Sequence, residues 1–160
     1  KAFLETTDTI SPMAELLLFA ADRAQHVEFL IRPSLKQGKI VISDRFADAT
    51  YSYQGAGRGF PEDKILQVIE LATGGLKPDL TIFLDIAVDT ATSRMASRDE
   101  STTVKNRMDE ESAAFYARVR EAYLGIAEHE PGRFVIVDAT GSVDDIHQRV
   151  LDRVHRVIEK

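Results

Sequence analysis

The sequence contains no cysteine. Disulfides, thiolate metal sites and cysteine nucleophiles are therefore excluded, and the chain suits a reducing cytoplasm, its expected address. It has no excess of basic residues either: 20 Lys and Arg stand against 26 Asp and Glu, a formal charge of −6. That balance excludes broad electrostatic binding to DNA or RNA but leaves room for a local basic pocket that takes a phosphate. No apolar run approaches the roughly 20 residues of a membrane-spanning helix. The opening residues, KAFLETTDTISP, lack the apolar core of a secretory signal. Neither a nucleic acid nor a membrane is expected as a partner. The four histidines (His26, His129, His147, His155) form no metal-ligand grouping. No repeat, low-complexity tract or Gly/Ser linker interrupts the chain, so residues 1–160 read as a single domain.

What is present is an ordinary globular composition, 44% hydrophobic and 29% charged over 160 residues, enough to bury a core. Three short apolar runs are rich in β-branched residues: 39–43 (KIVIS), 80–84 (LTIFL) and 134–137 (FVIV). Each is near-continuous, as expected of a strand buried on both faces of a parallel sheet. Each is followed by an Asp, namely Asp44, Asp85 and Asp138. Open α/β sheets bind ligands beyond the carboxyl ends of their strands, so these carboxylates are placed either for chemistry or for capping the next element.

The intervening segments read as helices. Ser11 and Pro12 open the first, with apolar residues recurring from Met13 to Ile31. Pro33 should kink it and Gly38 end it. A second runs from Pro61 to Ala72, stopped by Gly74 and Gly75, and a third from Asp89 to about Ser97. The longest spans Asp109 to about Glu128, and Ser142 caps the last. Two stretches read as loops: the Gly-rich 54–59 (QGAGRG), and the polar 98–107, which lacks apolar periodicity and has the character of a lid.

The chemistry begins at Asp44 and Arg45. A planar guanidinium suits a phosphate bidentately, and a neighbouring carboxylate suits Mg²⁺ held largely through water. Phe19 and Arg23, four apart on one helix, share a face with an apolar surface and a fixed positive charge.

The runs 15–26 (ELLLFAADRAQH), 31–33 (IRP), 44–46 (DRF), 53–59 (YQGAGRG), 74–81 (GGLKPDLT), 106–109 (NRMD) and 134–139 (FVIVDA), in this order and spacing, resemble bacterial thymidylate kinase over essentially the whole chain. The resemblance implies an α/β fold of the P-loop NTPase kind, a parallel sheet flanked by helices with a mobile lid at 98–108. It implies transfer of the ATP γ-phosphoryl group to dTMP, giving dTDP and ADP, with Mg²⁺. It implies that Phe19 stacks on thymine, that Arg23 hydrogen-bonds a thymine carbonyl, and that Thr50 and Gln54 read the pyrimidine edge. Tyr53 then packs under the sugar and disfavours a 2′-hydroxyl, and Tyr123 lies near the 3′ side. Arg45 holds the dTMP phosphate and Asp44 orders Mg²⁺. Arg107, with Arg98 and Lys105, closes over the phosphates from the lid, and the backbone at Ala139 and Thr140 meets adenine. The catalytic set is thus Asp44, Arg45 and Arg107. Phe46 departs from the resemblance, standing where a Tyr is usual.

The 160 residues contain no GxxxxGK[ST] run, the loop whose backbone N–H groups and Lys cradle ATP phosphates. The resemblance places that loop, a central strand and a second strand ahead of Lys1, so the expectation is an N-terminally shortened kinase domain, inactive alone. Related deoxynucleoside or monophosphate kinases and a non-catalytic nucleotide-fold interaction module are the alternatives. A homodimer through the helix from Met13 to Ile31 is implied by resemblance.

Overall fold

The computed structural model describes residues 10–99 and 111–159, without the side chains of 95–99. The chain divides into two compact units, Lys1–Lys77 and Pro78–Lys160.

The first unit is helical. Helix α1 (Pro12–His26) starts where the sequence placed it: the Ser11 hydroxyl accepts the Ala14 N–H at 3.2 Å, and Pro12 fills a position that needs no donor. It continues through one wide π-helical stretch (Val27–Ile31) into α2 (Arg32–Lys36). Pro33 has no N–H to return to the carbonyl of Phe29, and widening the preceding turns absorbs that lost bond, which is the physical form the expected kink takes. Gly38, at φ 71, ends the run.

Residues 39–43 are not a strand. A strand exists only with a partner to complete its hydrogen bonds, and no described residue pairs with this segment. Ile42 is 91% exposed, so the β-branched run forms an extended connection instead. The Gly-rich segment is not a loop either. Helix α3 (Ala47–Thr50) widens into a second π-helical stretch, Tyr51–Gly57, that takes in Gln54 and its glycines. Gly55 is buried beside Ile65, where an added Cβ would lie 3.5 Å from the nearest Ile65 carbon. Helix α4 (Glu62–Thr73) packs on α1 and ends at left-handed Gly74. Arg32 closes that end by donating to the carbonyls of Thr73 and Gly74 at 3.0 and 2.8 Å, a cation against the negative pole of the helix. Leu16, Val27, Ile31, Ala49, Ile65 and Ala72 form the core of this unit.

The second unit carries the sheet. Strands β1 (Thr81–Asp85) and β2 (Phe134–Asp138) pair in parallel, Thr81 opposite Phe134 and Asp85 opposite Asp138. Helices α5 (Val88–Asp99), α6 (Ala113–His129) and α7 (Val143–Ile158) complete the unit, α5 packing on α6, and α6 and α7 on β2. Ser112 caps α6 and Ser142 caps α7 through their hydroxyls, so α6 begins later than the sequence suggested. Helix α5 extends through Arg98 and Asp99, and residues 100–108 of the stretch read as a lid lie outside the described residues. Arg107 and Lys105 lie outside the described residues. Phe83, Tyr123 and Phe134 form an aromatic cluster over the sheet, Phe83 and Tyr123 stacking at 4.6 Å.

Candidate functional site

The first unit gathers most of the residues singled out from the sequence. Glu15, Phe19 and Arg23 follow one another at intervals of four along α1 and share a face. Thr50, Gln54 and Arg58 are spaced likewise along the segment facing it. The two rows meet antiparallel. Arg23 donates to the Thr50 hydroxyl at 3.5 Å. The Gln54 amide donates to Glu15 Oε1 at 3.2 Å, and Arg58 meets both Glu15 oxygens at 3.4 Å. Glu15 is 2% exposed and Gln54 4%, so the rows are locked by a buried ion pair flanked by an amide.

Both candidate substrate-binding arginines rest on aromatic rings. The Arg23 guanidinium lies 4.9 Å from the centre of the Phe46 ring, and that of Arg45 lies 5.0 Å from the Tyr53 ring. Phe46 therefore has a role that its lack of a hydroxyl does not impair: its face supports a cation. Arg45 is the one described non-glycine residue with positive φ, 64°. The Ser43 hydroxyl fastens its carbonyl at 2.8 Å. A left-handed arginine costs on the order of 1–2 kcal/mol, and such strain concentrates where a side chain must be aimed. Asp44 beside it is exposed.

No group of three or more metal-ligating side chains occurs among the described residues. Mg²⁺ commonly takes one or two carboxylates and completes its shell with water and substrate phosphates. Asp44, with an exposed oxygen donor beside a phosphate-suited arginine, fits that role.

Ser52 is 0% exposed and its hydroxyl has no hydrogen-bond partner among the described residues. A buried orphan hydroxyl is unfavourable, so Ser52→Ala should raise stability by about 1 kcal/mol, read as a higher urea midpoint at unchanged slope.

The residues assigned to the second unit are differently placed. Tyr123 is partly exposed and has its ring stacked on Phe83 at 4.6 Å. The Ala139 N–H goes to the Asp85 carbonyl at 2.8 Å, and its carbonyl accepts from Arg94 at 3.1 Å. The Thr140 N–H goes to Asp138 at 2.9 Å. Both amides are therefore committed inside the unit, leaving carbonyl oxygens as the backbone contacts a base could use. The paired strand-end carboxylates are each satisfied. Arg120 grips Asp85 with two bonds of 2.6 and 2.8 Å, which raises the guanidinium pKa. The hydrogen bonds from Thr140 hold the Asp138 carboxyl below its ordinary value. Asp44, which follows an extended segment and not a strand, is exposed and makes no side-chain hydrogen bond or ion pair among the described residues. The Arg98 side chain and the whole of Arg107 lie outside the described residues.

Glu15 and Arg58 were assigned no function in the sequence. The available signal was periodic: Glu15 stands in the same four-residue series as Phe19 and Arg23, and a carboxylate inside the run ELLLFAA needs a cation to be buried.

A parallel α/β unit, and two ring-braced arginines beside an exposed aspartate, suit a protein that handles phosphorylated nucleotides. The family model for thymidylate kinase matches residues 1–150. A thymidylate kinase of Pelobacter propionicus is 46% identical over 148 residues, 91% of this chain and 68% of the relative. That of Nitratidesulfovibrio vulgaris is 44% identical over 156 residues, 96% of this chain and 73% of the relative. A crystal structure of thymidylate kinase from Ehrlichia chaffeensis superposes with a TM-score of 0.72 at 30% identity, covering 96% of this chain and 70% of that one. The chain belongs to the thymidylate kinase family, and its fold is the P-loop NTPase-like α/β fold of that family. No described helix is long and apolar enough to cross a membrane.

Proposed function

We propose that the Phe19, Arg23, Arg45, Thr50, Tyr53 and Gln54 cluster is the acceptor-nucleotide site of a dTMP kinase. The reaction is transfer of the ATP γ-phosphoryl group to dTMP, giving dTDP and ADP. The observation that carries the site assignment is the pair of arginines, each braced on a ring, in one unit with an apolar aromatic on the same helix face.

Phosphoryl transfer asks a protein to align two anions and neutralise their charge. Arg45 does so at the acceptor phosphate. Its backbone is fixed and its guanidinium rests on Tyr53, so little reorganisation is needed as charge develops. Phe19 supplies a face for the base, Arg23 donates to a base carbonyl, and Thr50 holds Arg23 in place. Tyr53 underlies the sugar, where its ring leaves no room for a 2′-hydroxyl. Mg²⁺ held by Asp44 and water would supply charge neutralisation at the phosphates. In the second unit, the Ala139 and Thr140 carbonyl oxygens suit the adenine amino group. A cytoplasmic enzyme accords with the absence of cysteine. A homodimer through α1 and the π-helical stretch after it is supported by exposed Met13, Leu17, Phe29 and Leu30, and sedimentation at micromolar protein showing monomer alone would count against it.

The deciding experiment is ADP release by the full-length protein with dTMP, dUMP, dCMP and dGMP in turn. dTMP is expected to be best and dUMP poorer by roughly 10–200-fold, since one methyl group is worth only about 1–3 kcal/mol. Comparable turnover of dCMP or dGMP would sink the assignment.

A further inference from the structure

We propose that Glu15 is a specificity-positioning residue: by taking the amide nitrogen of Gln54 it turns the amide oxygen toward the base, and thereby favours thymine over cytosine. This deepens the reading in which Gln54 faces the pyrimidine edge, and rests on it.

A glutamine amide has two nearly isosteric ends of opposite hydrogen-bonding sense, and only its partners choose between them. Here the partner is a carboxylate, which accepts and cannot donate. The Gln54 nitrogen lies 3.2 Å from Glu15 Oε1. The Gln54 oxygen receives no donor among the described residues, although the side chain is almost fully buried. Glu15 is itself fixed. Arg58 meets both of its oxygens at 3.4 Å, and with 2% exposure it has almost no contact with water. A flip of the Gln54 amide would set oxygen against oxygen next to a buried charge, an arrangement with no compensating bond.

The consequence is a pattern complementary to one pyrimidine. Arg23 can only donate. Gln54, oriented by Glu15, can only accept at its free end. Thymine offers a carbonyl oxygen at C4 and an N–H at N3, matching a donor beside an acceptor. Cytosine offers an amino group at C4 and a bare nitrogen at N3, the reverse of both. Sites built on fixed hydrogen-bond partners reject a mismatched analogue far more strongly than apolar pockets do, because the mismatch leaves buried polar groups unpaired. Glu15 meets neither base nor phosphate in this scheme. It acts through Gln54.

The test compares kcat/KM for dTMP and for dCMP in full-length wild type, Glu15→Gln and Gln54→Ala. A glutamine at position 15 can present either end, which frees the Gln54 amide to turn. The dTMP-to-dCMP ratio is expected to fall about tenfold or more in both variants. The ratio cancels the fraction of folded enzyme, so a purely structural role for Glu15 would leave it unmoved. If Glu15→Gln does not fold, the double variant Glu15→Gln/Arg58→Gln, which removes both charges of the pair, supplies the same readout. A ratio that falls in Gln54→Ala and is unchanged when Glu15 is replaced overturns the positioning role alone. A ratio unchanged in both overturns the reading of Gln54 as well.

Discussion

Replacing Arg45 with alanine is expected to lower kcat/KM for dTMP by roughly 10²–10³-fold, the usual consequence of removing one fixed charge-stabilising donor. Stability should scarcely change, because Arg45 is exposed and loses only its contact with the Tyr53 ring. A second substitution sharpens the result. Arg45 holds φ 64, a conformation in which glycine is relaxed and arginine is not. Arg45→Gly should therefore be at least as stable as the parent while being as inactive as Arg45→Ala. Arg45→Lys should fall between, since an ammonium keeps the charge but lacks the planar fork. Steady-state kinetics and urea unfolding on the same preparations check all three. An Arg45→Gly enzyme with parental kcat/KM would remove Arg45 from the phosphate site.

The largest stability effect is expected at the ion pair between α1 and the segment opposite it. Glu15→Ala strands Arg58, and Arg58→Ala strands a carboxylate that is 2% exposed. Removing one partner of a largely buried pair costs up to about 3–5 kcal/mol, because the remaining charge loses its nearest opposite charge while staying mostly out of water. Replacing both at once, as Glu15→Leu with Arg58→Met, should recover most of that loss, since the desolvation of both charges disappears together. The two single losses would then be far from additive. Urea midpoints of the four proteins form the cycle. Additive losses would mean that the pair contributes as two independent side chains. The contacts of 3.4 Å are longer than an optimal charged hydrogen bond, which is consistent with a pair kept for placement of Gln54 as much as for strength.

Several elements were legible because their causes are local. A capping hydroxyl followed by Pro12, the left-handed Gly74, and the Ser142 cap of α7 depend on residues within one turn of each other. Strands β1 and β2 were legible because each is a short β-branched run ending in Asp. The run at 39–43 has the same composition but is not a strand, since strand formation is decided by a neighbour and not by the run itself. Residues 54–59 read as a loop because glycines usually mark loops, whereas the structure takes 54–57 into a π-helical stretch. Here Gly55 and Gly57 are buried, and absence of a side chain permits close helix packing, Gly55 against Ile65.

The site divides in the same way. Phe19 with Arg23, and Asp44 with Arg45, could be proposed from spacing and charge. Glu15 and Arg58 could not, because their roles depend on a contact between residues 43 apart in the chain.

The sequence by itself determined the family, the helical periodicity of α1, the absence of thiol chemistry and the few arginines available to meet an anion. These follow from residue identity and short-range spacing, which no packing arrangement alters. The tertiary structure alone decided how those arginines are held: Arg23 on Phe46, Arg45 on Tyr53 in a left-handed backbone, and Glu15 buried between Gln54 and Arg58. The physical reason is that orientation in a low-dielectric interior is set by whichever groups are brought within about 4 Å of one another, and that proximity is a property of the fold.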